Sequence, residues 1–520
     1  MFAEGQFFLL AALEIMAALF ILVIGFFTLW VVYAFVVDLT QTKQAIRRNY
    51  PVIGRFRALF EHLGEFFRQY FFAMDREELP FNRAQRNWVY RAAKDENNTV
   101  AFGSTRNIKQ PGQVMFVNCP FPTLGQDAVP PQPVTIGAGG RAPYTTASLI
   151  NVSAMSYGAI SRPALQALCA GAARAGCWLN TGEGGLSPYH LESGADLVFQ
   201  IGTAKNGVRD LQGNLCDKQL RAVAAHEQVR MFEIKLSQGA KPGKGGILPG
   251  SKVTKEIAAI RGIPIGVDAI SPNRHLDVRS TDELLDLIRR VREVTGKPVG
   301  FKIVIGASGW LDELCEAIHA RGLASAPDFI TVDGAEGGTG AAPMPLMDDM
   351  GLPLRESLPL LVDKLCEYGL RERVKVVASG KLITPADVAW ALCIGADFIC
   401  SARGFMLALG CIQALKCNKN TCPTGITTHN PKLQKGLHPP TKAARVAAYV
   451  KNITHEVGII AHACGVRRPR ELRRFHALVV MPSGRTISLD AFYPAVEPKP
   501  FVAVAGEESG TGIKGVVRDG

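Results

Sequence analysis

The chain has 520 residues, 47% of them hydrophobic, enough to bury one large core or two domains. Its formal net charge is +12, yet Lys and Arg are spread along the chain without aromatic interleaving, which argues against nucleic-acid binding. Twelve cysteines in this length make no disulfide scaffold, and most stand singly in apolar surroundings, the pattern of a reduced compartment.

The first element is an apolar run. Ile15 to Val37 contains 23 residues without a charge. As a helix it extends about 34 Å, enough to cross a hydrocarbon core of about 30 Å. Glu4 and Glu14 precede it and no Lys or Arg does, unlike the basic lead of a signal peptide. Lys43, Arg47, Arg48, Arg55 and Arg57 follow it. The positive-inside rule therefore predicts a single-pass anchor over residues 1–40 in the inner, cytoplasmic membrane, with the rest of the chain cytoplasmic. Residues 41–145 mix short amphipathic pieces, such as Phe56–Phe72, with Pro-rich connections, and read as a lead-in subdomain.

From Leu149 short apolar runs alternate with helical periods. Strands are expected at Leu149–Ser153, Cys177–Thr181, Met231–Leu236, Pro264–Val267, Val299–Val304, Asp328–Val332, Val374–Ala378 and Asp397–Ser401. Helices are expected between them, from Pro163–Ala175 to Phe405–Leu415. Eight such repeats predict an α/β fold, a (β/α)8 TIM barrel over residues 146–435. A doubly wound sheet is the alternative, but the first strand lacks the G-x-G-x-x-G turn. Residues 436–520 are expected to form a helical or irregular extension.

In a barrel the chemistry sits at the C-terminal ends of the strands. Gly-rich turns follow strand six (Asp333 to Gly340), strand seven (Ser379-Gly380-Lys381) and strand eight (Ala402-Arg403-Gly404). Their backbone N–H groups can cradle a phosphate, which points to a phosphate-bearing cofactor such as FMN. Lys235 belongs to the third strand in this count, a run read as otherwise apolar, and Lys302 lies central in strand five. Cations there can steady a reduced flavin or a substrate carboxylate.

Cys411, Cys417 and Cys422 form a C-x5-C-x4-C run ending in Cys-Pro. Zinc prefers close CxxC or HxxxH pairs, whereas soft thiolates at this spacing suit a three-iron, four-sulfide cluster. Three ordinary buried thiols are the alternative.

Taken together, these stretches resemble one family. Asn151 to Ser161 resembles the first barrel strand of glutamate synthase, as do Asn180 to Gly185, Gln238 to Gly246, Gly337 to Gly340 and the three-cysteine loop. The resemblance runs in order over roughly residues 145–435. It implies an FMN-binding barrel with a [3Fe-4S] cluster, in which 2-iminoglutarate derived from 2-oxoglutarate and ammonia is reduced to L-glutamate. Carried over residue by residue, it implies that Ser153, Ala154, Met155, Ser156, Thr181, Gln200, Lys302, Gly337, Gly338, Gly340, Gly380 and Arg403 surround FMN. Glu183, Gln238, Lys241 and Arg261 would face the keto acid, and Lys235, placed at the mouth by its strand, would join them as a catalytic residue. Cys411, Cys417 and Cys422 would hold the cluster.

The departures are equally specific. The family's full-length members begin with a glutaminase domain carrying an N-terminal Cys, whereas this chain begins Met1-Phe2, so no glutamine hydrolysis is expected of it. Ile247 stands where the family usually has Gln, and Ala378-Ser379-Gly380-Lys381 replaces an Asp-Gly-Gly turn. The expected activity is a glutamate synthase-type oxidoreductase fed by free ammonia or a partner amidotransferase. A ferredoxin or reductase subunit would donate electrons, and homo-oligomerisation is left open. The alternatives are a membrane-linked FMN and iron–sulfur dehydrogenase of another amino or hydroxy acid, and a non-enzymatic electron relay.

Overall fold

Eight short strands close into a parallel barrel: Ile150–Val152, Leu179–Asn180, Leu197–Ile201, Val229–Lys235, Val299–Ile303, Phe329–Asp333, Lys375–Ser379 and Phe398–Ser401. The last pairs with the first, Ile399 opposite Ile150, so no strand edge is left open. The computed structural model describes residues 2–67 and 71–499. Residues 68–70 of the expected piece Phe56–Phe72, and residues 500–520 of the expected extension, lie outside the described residues.

The expected fold class holds, but one strand differs. The third strand is Leu197–Ile201, buried along its whole length. Covered on both faces, it shows no alternation that would mark it in sequence. Pro264–Val267 is not a barrel strand. It forms a turn in which Gly266 has φ +71°, and a short antiparallel pair, Ile247–Leu248 with Ala269–Ile270, stands nearby. The strand carrying Lys235 is therefore the fourth. The loop after it runs to Ser280, where helix Thr281–Thr295 begins. The helix expected over Phe405–Leu415 also stops early, at Leu409, because Gly410 (φ +106°), Gln413 (φ +59°) and Leu415 (φ +53°) take left-handed backbone.

The lower barrel is apolar. Val198, Met231, Phe329, Val377 and Phe398 pack with Trp178, Ile136 and Tyr144. Ile136 and Tyr144 belong to the antiparallel pair Val134–Ile136 and Tyr144–Thr146. Trp178 stands edge-on to Phe398, with centroids 4.9 Å apart, and Tyr144 donates to Asp196 Oδ2 at 3.0 Å. Phe329 and Phe398 open their strands, so this plug fills the N-terminal end and leaves the other mouth for polar groups.

Contacts divide the chain between Ala84 and Gln85. In the first unit, helix Phe2–Thr40 leaves most side chains of residues 8–33 exposed. In the second, the 25-residue helix Pro439–Ala463 packs along helix Arg162–Ala175. That packing needs Gly171, where an added Cβ would lie 2.4 Å from Val446 Cβ. Ala is the better helix former by about 1 kcal/mol, but overpacking costs about 1–3 kcal/mol. Gly171→Ala should thus lower the thermal midpoint measured by circular dichroism. An unchanged or raised midpoint in Gly171→Ala would refute this packing account.

Candidate active site at the C-terminal mouth of the barrel

Lys235 closes the fourth strand, and its ammonium donates to Glu183 Oε1 at 2.9 Å and Gln238 Oε1 at 2.6 Å. Glu183 sits in the turn Gly182–Gly184 after the second strand. Gly246 lies so close that a Cβ there would stand 2.2 Å from Glu183 Oε1. Burial pushes the Glu183 carboxyl up, but Lys235, helped by Lys241 and Arg261, holds it below its ordinary value. Lys241 and Arg261 are buried. Among the described residues Lys241 donates only to Ala341 O, at 3.3 Å. Arg261 donates to Ser156 Oγ and Tyr157 O, each at 3.0 Å, and its Nε has no partner among the described residues. Burial, with Lys235 nearby, lowers the Lys241 ammonium to about 8, and burial lowers Arg261 to about 10. The five residues are thus brought together, two from strand ends and three from the long loop.

Below them lies a polar layer. Lys302 pairs with Asp333 at 3.1 Å, and Asp333 accepts from Gly239 N at 2.9 Å. Burial would lower Lys302, but Asp333 and Glu233 raise it. Glu233, which sequence reasoning passed over, is 3% exposed. Its Oε1 accepts from Asn180 Nδ2 at 2.8 Å and Gln200 Nε2 at 2.7 Å, and its Oε2 from Thr331 Oγ1 at 2.7 Å. Gln200 is therefore engaged within the barrel. The available signal was a charge two residues before Lys235, hence on the same face of the strand.

The Gly-rich turns surround this layer. Gly337 and Gly239 approach so closely that a Cβ on Gly239 would lie 2.5 Å from Gly337 Cα. Gly338 O accepts from Gln238 at 3.2 Å, and a Cβ on Gly338 would lie 2.8 Å from Arg403 Nε. Gly340 faces open space, and Gly380 has φ +135°. Arg403 opens helix Arg403–Leu409 and donates to Glu336 O at 2.7 Å. Ser153 N donates to Ser401 O, joining the first and last strands, and the Thr181 hydroxyl accepts from Gln200 N. Ala154, Met155 and Ser156 follow the first strand in sequence.

The cysteine loop has a second unforeseen residue. Lys252, buried in the loop after the fourth strand, donates to Ala159 O at 2.7 Å and Cys417 O at 3.3 Å. Burial, reinforced by Cys417 and Cys422, pushes the Cys411 thiol up to about 12. Burial raises Cys422 too, but the Thr424 and Thr427 hydroxyls hold it below its ordinary value. Among the described residues no three His, Cys, Asp or Glu side chains are grouped to hold a single metal ion.

The Glu233 network carries a stability prediction. Glu233→Gln keeps acceptors for Asn180 and Gln200, whereas Glu233→Leu strands those amides at about 1–3 kcal/mol each. The Leu variant should melt well below the Gln variant. Equal melting temperatures would mean these amides find other partners.

The description "conserved region in glutamate synthase" matches residues 133–467. A glutamate synthase large subunit-like protein of Bacillus subtilis (strain 168) is 38% identical over 518 residues, covering 92% of this chain and 98% of its own. An archaeal glutamate synthase [NADPH] of Methanocaldococcus jannaschii is 38% identical over 333 residues, and the chain spans 60% of its length. A glutamate synthase large subunit-like protein of Rhizobium meliloti (strain 1021) is 33% identical over 334 residues, of which 71% of its length is covered. With a family match over more than half its length and a relative aligned nearly end to end, this chain belongs to the glutamate synthase family.

Proposed function

We propose that the chain is a glutamate synthase-type oxidoreductase that reductively aminates 2-oxoglutarate, through 2-iminoglutarate, to L-glutamate. The observation that carries this reading is the pair of buried cations, Lys241 and Arg261, beside the Glu183–Lys235 ion pair with no carboxylate hydrogen-bonded to either among the described residues. Buried cations in that condition favour an anionic ligand, and two of them suit a dicarboxylate.

FMN fits the upper barrel: Lys302 and Arg403 supply positive charge, Gly340 leaves open space, and Gly337, Gly338 and Gly380 keep the turns thin. Ser153 to Ser156, Thr181 and Gln200 complete that set. FMN bound there would supply the two-electron chemistry. Arg261 and Lys241 hold the substrate carboxylates, and Gln238, fixed between Lys235 and Gly338, orients the chain between them. The ionised Glu183 favours the protonated imine over the neutral one. Cys411, Cys417 and Cys422 supply the soft donors of a [3Fe-4S] cluster, a group larger than the single ion that close ligand clusters hold. A ferredoxin or a reductase subunit would feed it, and nitrogen would come as ammonia, free or from a partner amidotransferase. Helix Phe2–Thr40, with 33 residues from Phe8 long and apolar enough to cross a bilayer, is the anchor of a cytoplasmic enzyme on the inner membrane.

Two measurements test the reading. Lys241 loses its proton as pH rises through about 8, so its grip on a carboxylate is present below that pH and lost above it. Affinity for 2-oxoglutarate, followed by the flavin spectrum, should weaken by about tenfold per pH unit beyond the break. Lys241→Arg should remove the break. Affinity unchanged to high pH in the wild type would take Lys241 out of the site.

Cys417→Ser should strip the iron, and with it the near-isotropic EPR signal of a three-iron centre, while the bound FMN remains. A full iron complement in that variant would overturn the cysteine assignment.

A further inference from the structure

The helix Gly54–Phe67 carries an apolar stripe that the catalytic chemistry does not use. Phe56, Leu59, Phe60, Leu63 and Phe67 recur at i, i+3, i+4, i+7 and i+11, and so share one face. Phe56, Leu59, Phe60 and Phe67 are 51%, 48%, 66% and 44% exposed. Arg57 and Glu61 pair at 2.9 Å away from the stripe. Exposed aromatic stripes of this size mark an interaction surface.

Its surroundings identify the partner. Asp38, in the last turn of the long apolar helix and 1% exposed, accepts from Arg55 Nε at 2.8 Å, Arg55 Nη2 at 2.9 Å and Val52 N at 3.0 Å. The Arg55 guanidinium also lies 5.9 Å from the centre of the Trp30 ring. The start of the amphipathic helix is thereby pinned to the end of the apolar one. Lys43, Arg47 and Arg48 occupy the connection, where phosphate headgroups would meet them.

We infer that helix Gly54–Phe67 lies in the surface of the same phospholipid bilayer. Its stripe enters the acyl boundary, and Arg57, Glu61 and His62 stay among the headgroups. This rests on the reading of helix Phe2–Thr40 as a membrane anchor. The ion pair at Asp38 then sets where the chain leaves the membrane, and the soluble part follows an in-plane helix rather than a free tether.

Photo-crosslinking in the full chain, reconstituted into vesicles of phosphatidylethanolamine and phosphatidylglycerol, separates the two readings. Ile21, Phe60 and Glu61 are replaced one at a time by p-benzoylphenylalanine, each an exposed site whose exchange leaves the fold alone. Acyl-chain adducts of phospholipid are expected at Ile21 and Phe60, with their loss or a severalfold drop at Glu61. Lipid at Ile21 but only protein adducts, or none, at Phe60 would overturn the in-plane helix and leave the anchor standing. Equal acyl adducts at Phe60 and Glu61 would overturn the sided placement. Absence of lipid at Ile21 would overturn the anchor itself.

Discussion

A charge carried into a barrel must meet an opposite charge or a full set of hydrogen bonds, and the upper half of this barrel is arranged around that demand. Lys235 meets Glu183, Lys302 meets Asp333, and Glu233 meets three donors from three other strands. The lower half needs little of this, because it is filled mainly by Ile, Val, Met, Phe and Trp, and its Tyr144 hydroxyl donates to Asp196. One end of the barrel is therefore stable as a packed core, while the other is polar and short of anions. Among the described residues, Lys241 and Arg261 are two at which that shortage remains.

The loop from Leu236 to Ser280 connects the parts. It delivers Gln238, Lys241 and Arg261 to the mouth, and its Lys252 reaches the backbone of Cys417. His275, near its end, is 1% exposed and lies against Lys235 O at 3.1 Å. Close approaches hold the loop down: Gly239 against Gly337, and Gly246 against Glu183. A side chain at either position would push the loop off the barrel. One segment thus touches both the candidate substrate residues and the cysteine loop, which gives the two a common mechanical support.

Much of this was legible in the chain itself. The alternation of apolar runs and helical periods identified a barrel, because eight βα units leave a repeated trace that survives errors in any one unit. The Gly-rich turns, Lys235, Lys302 and the three cysteines were visible because each is chemically out of place in its segment. The helix Phe2–Thr40 was visible because its apolar length exceeds what a small core can bury. Leu197–Ile201 was missed for the opposite reason: a strand covered on both faces is a short apolar run and nothing more.

Local sequence by itself determined the barrel class, the polar character of one mouth, the thiol triplet and the apolar N-terminal helix, since each is a property of composition or period along the chain. Only the tertiary structure decided which strand carries Lys235, that Glu233 is a buried hub, that Lys252 faces the cysteine loop and that Asp38 holds Arg55. These four depend on pairings between residues 17 to 165 positions apart. No periodicity records such pairings, because desolvation and hydrogen bonding act on distance in space and not along the chain.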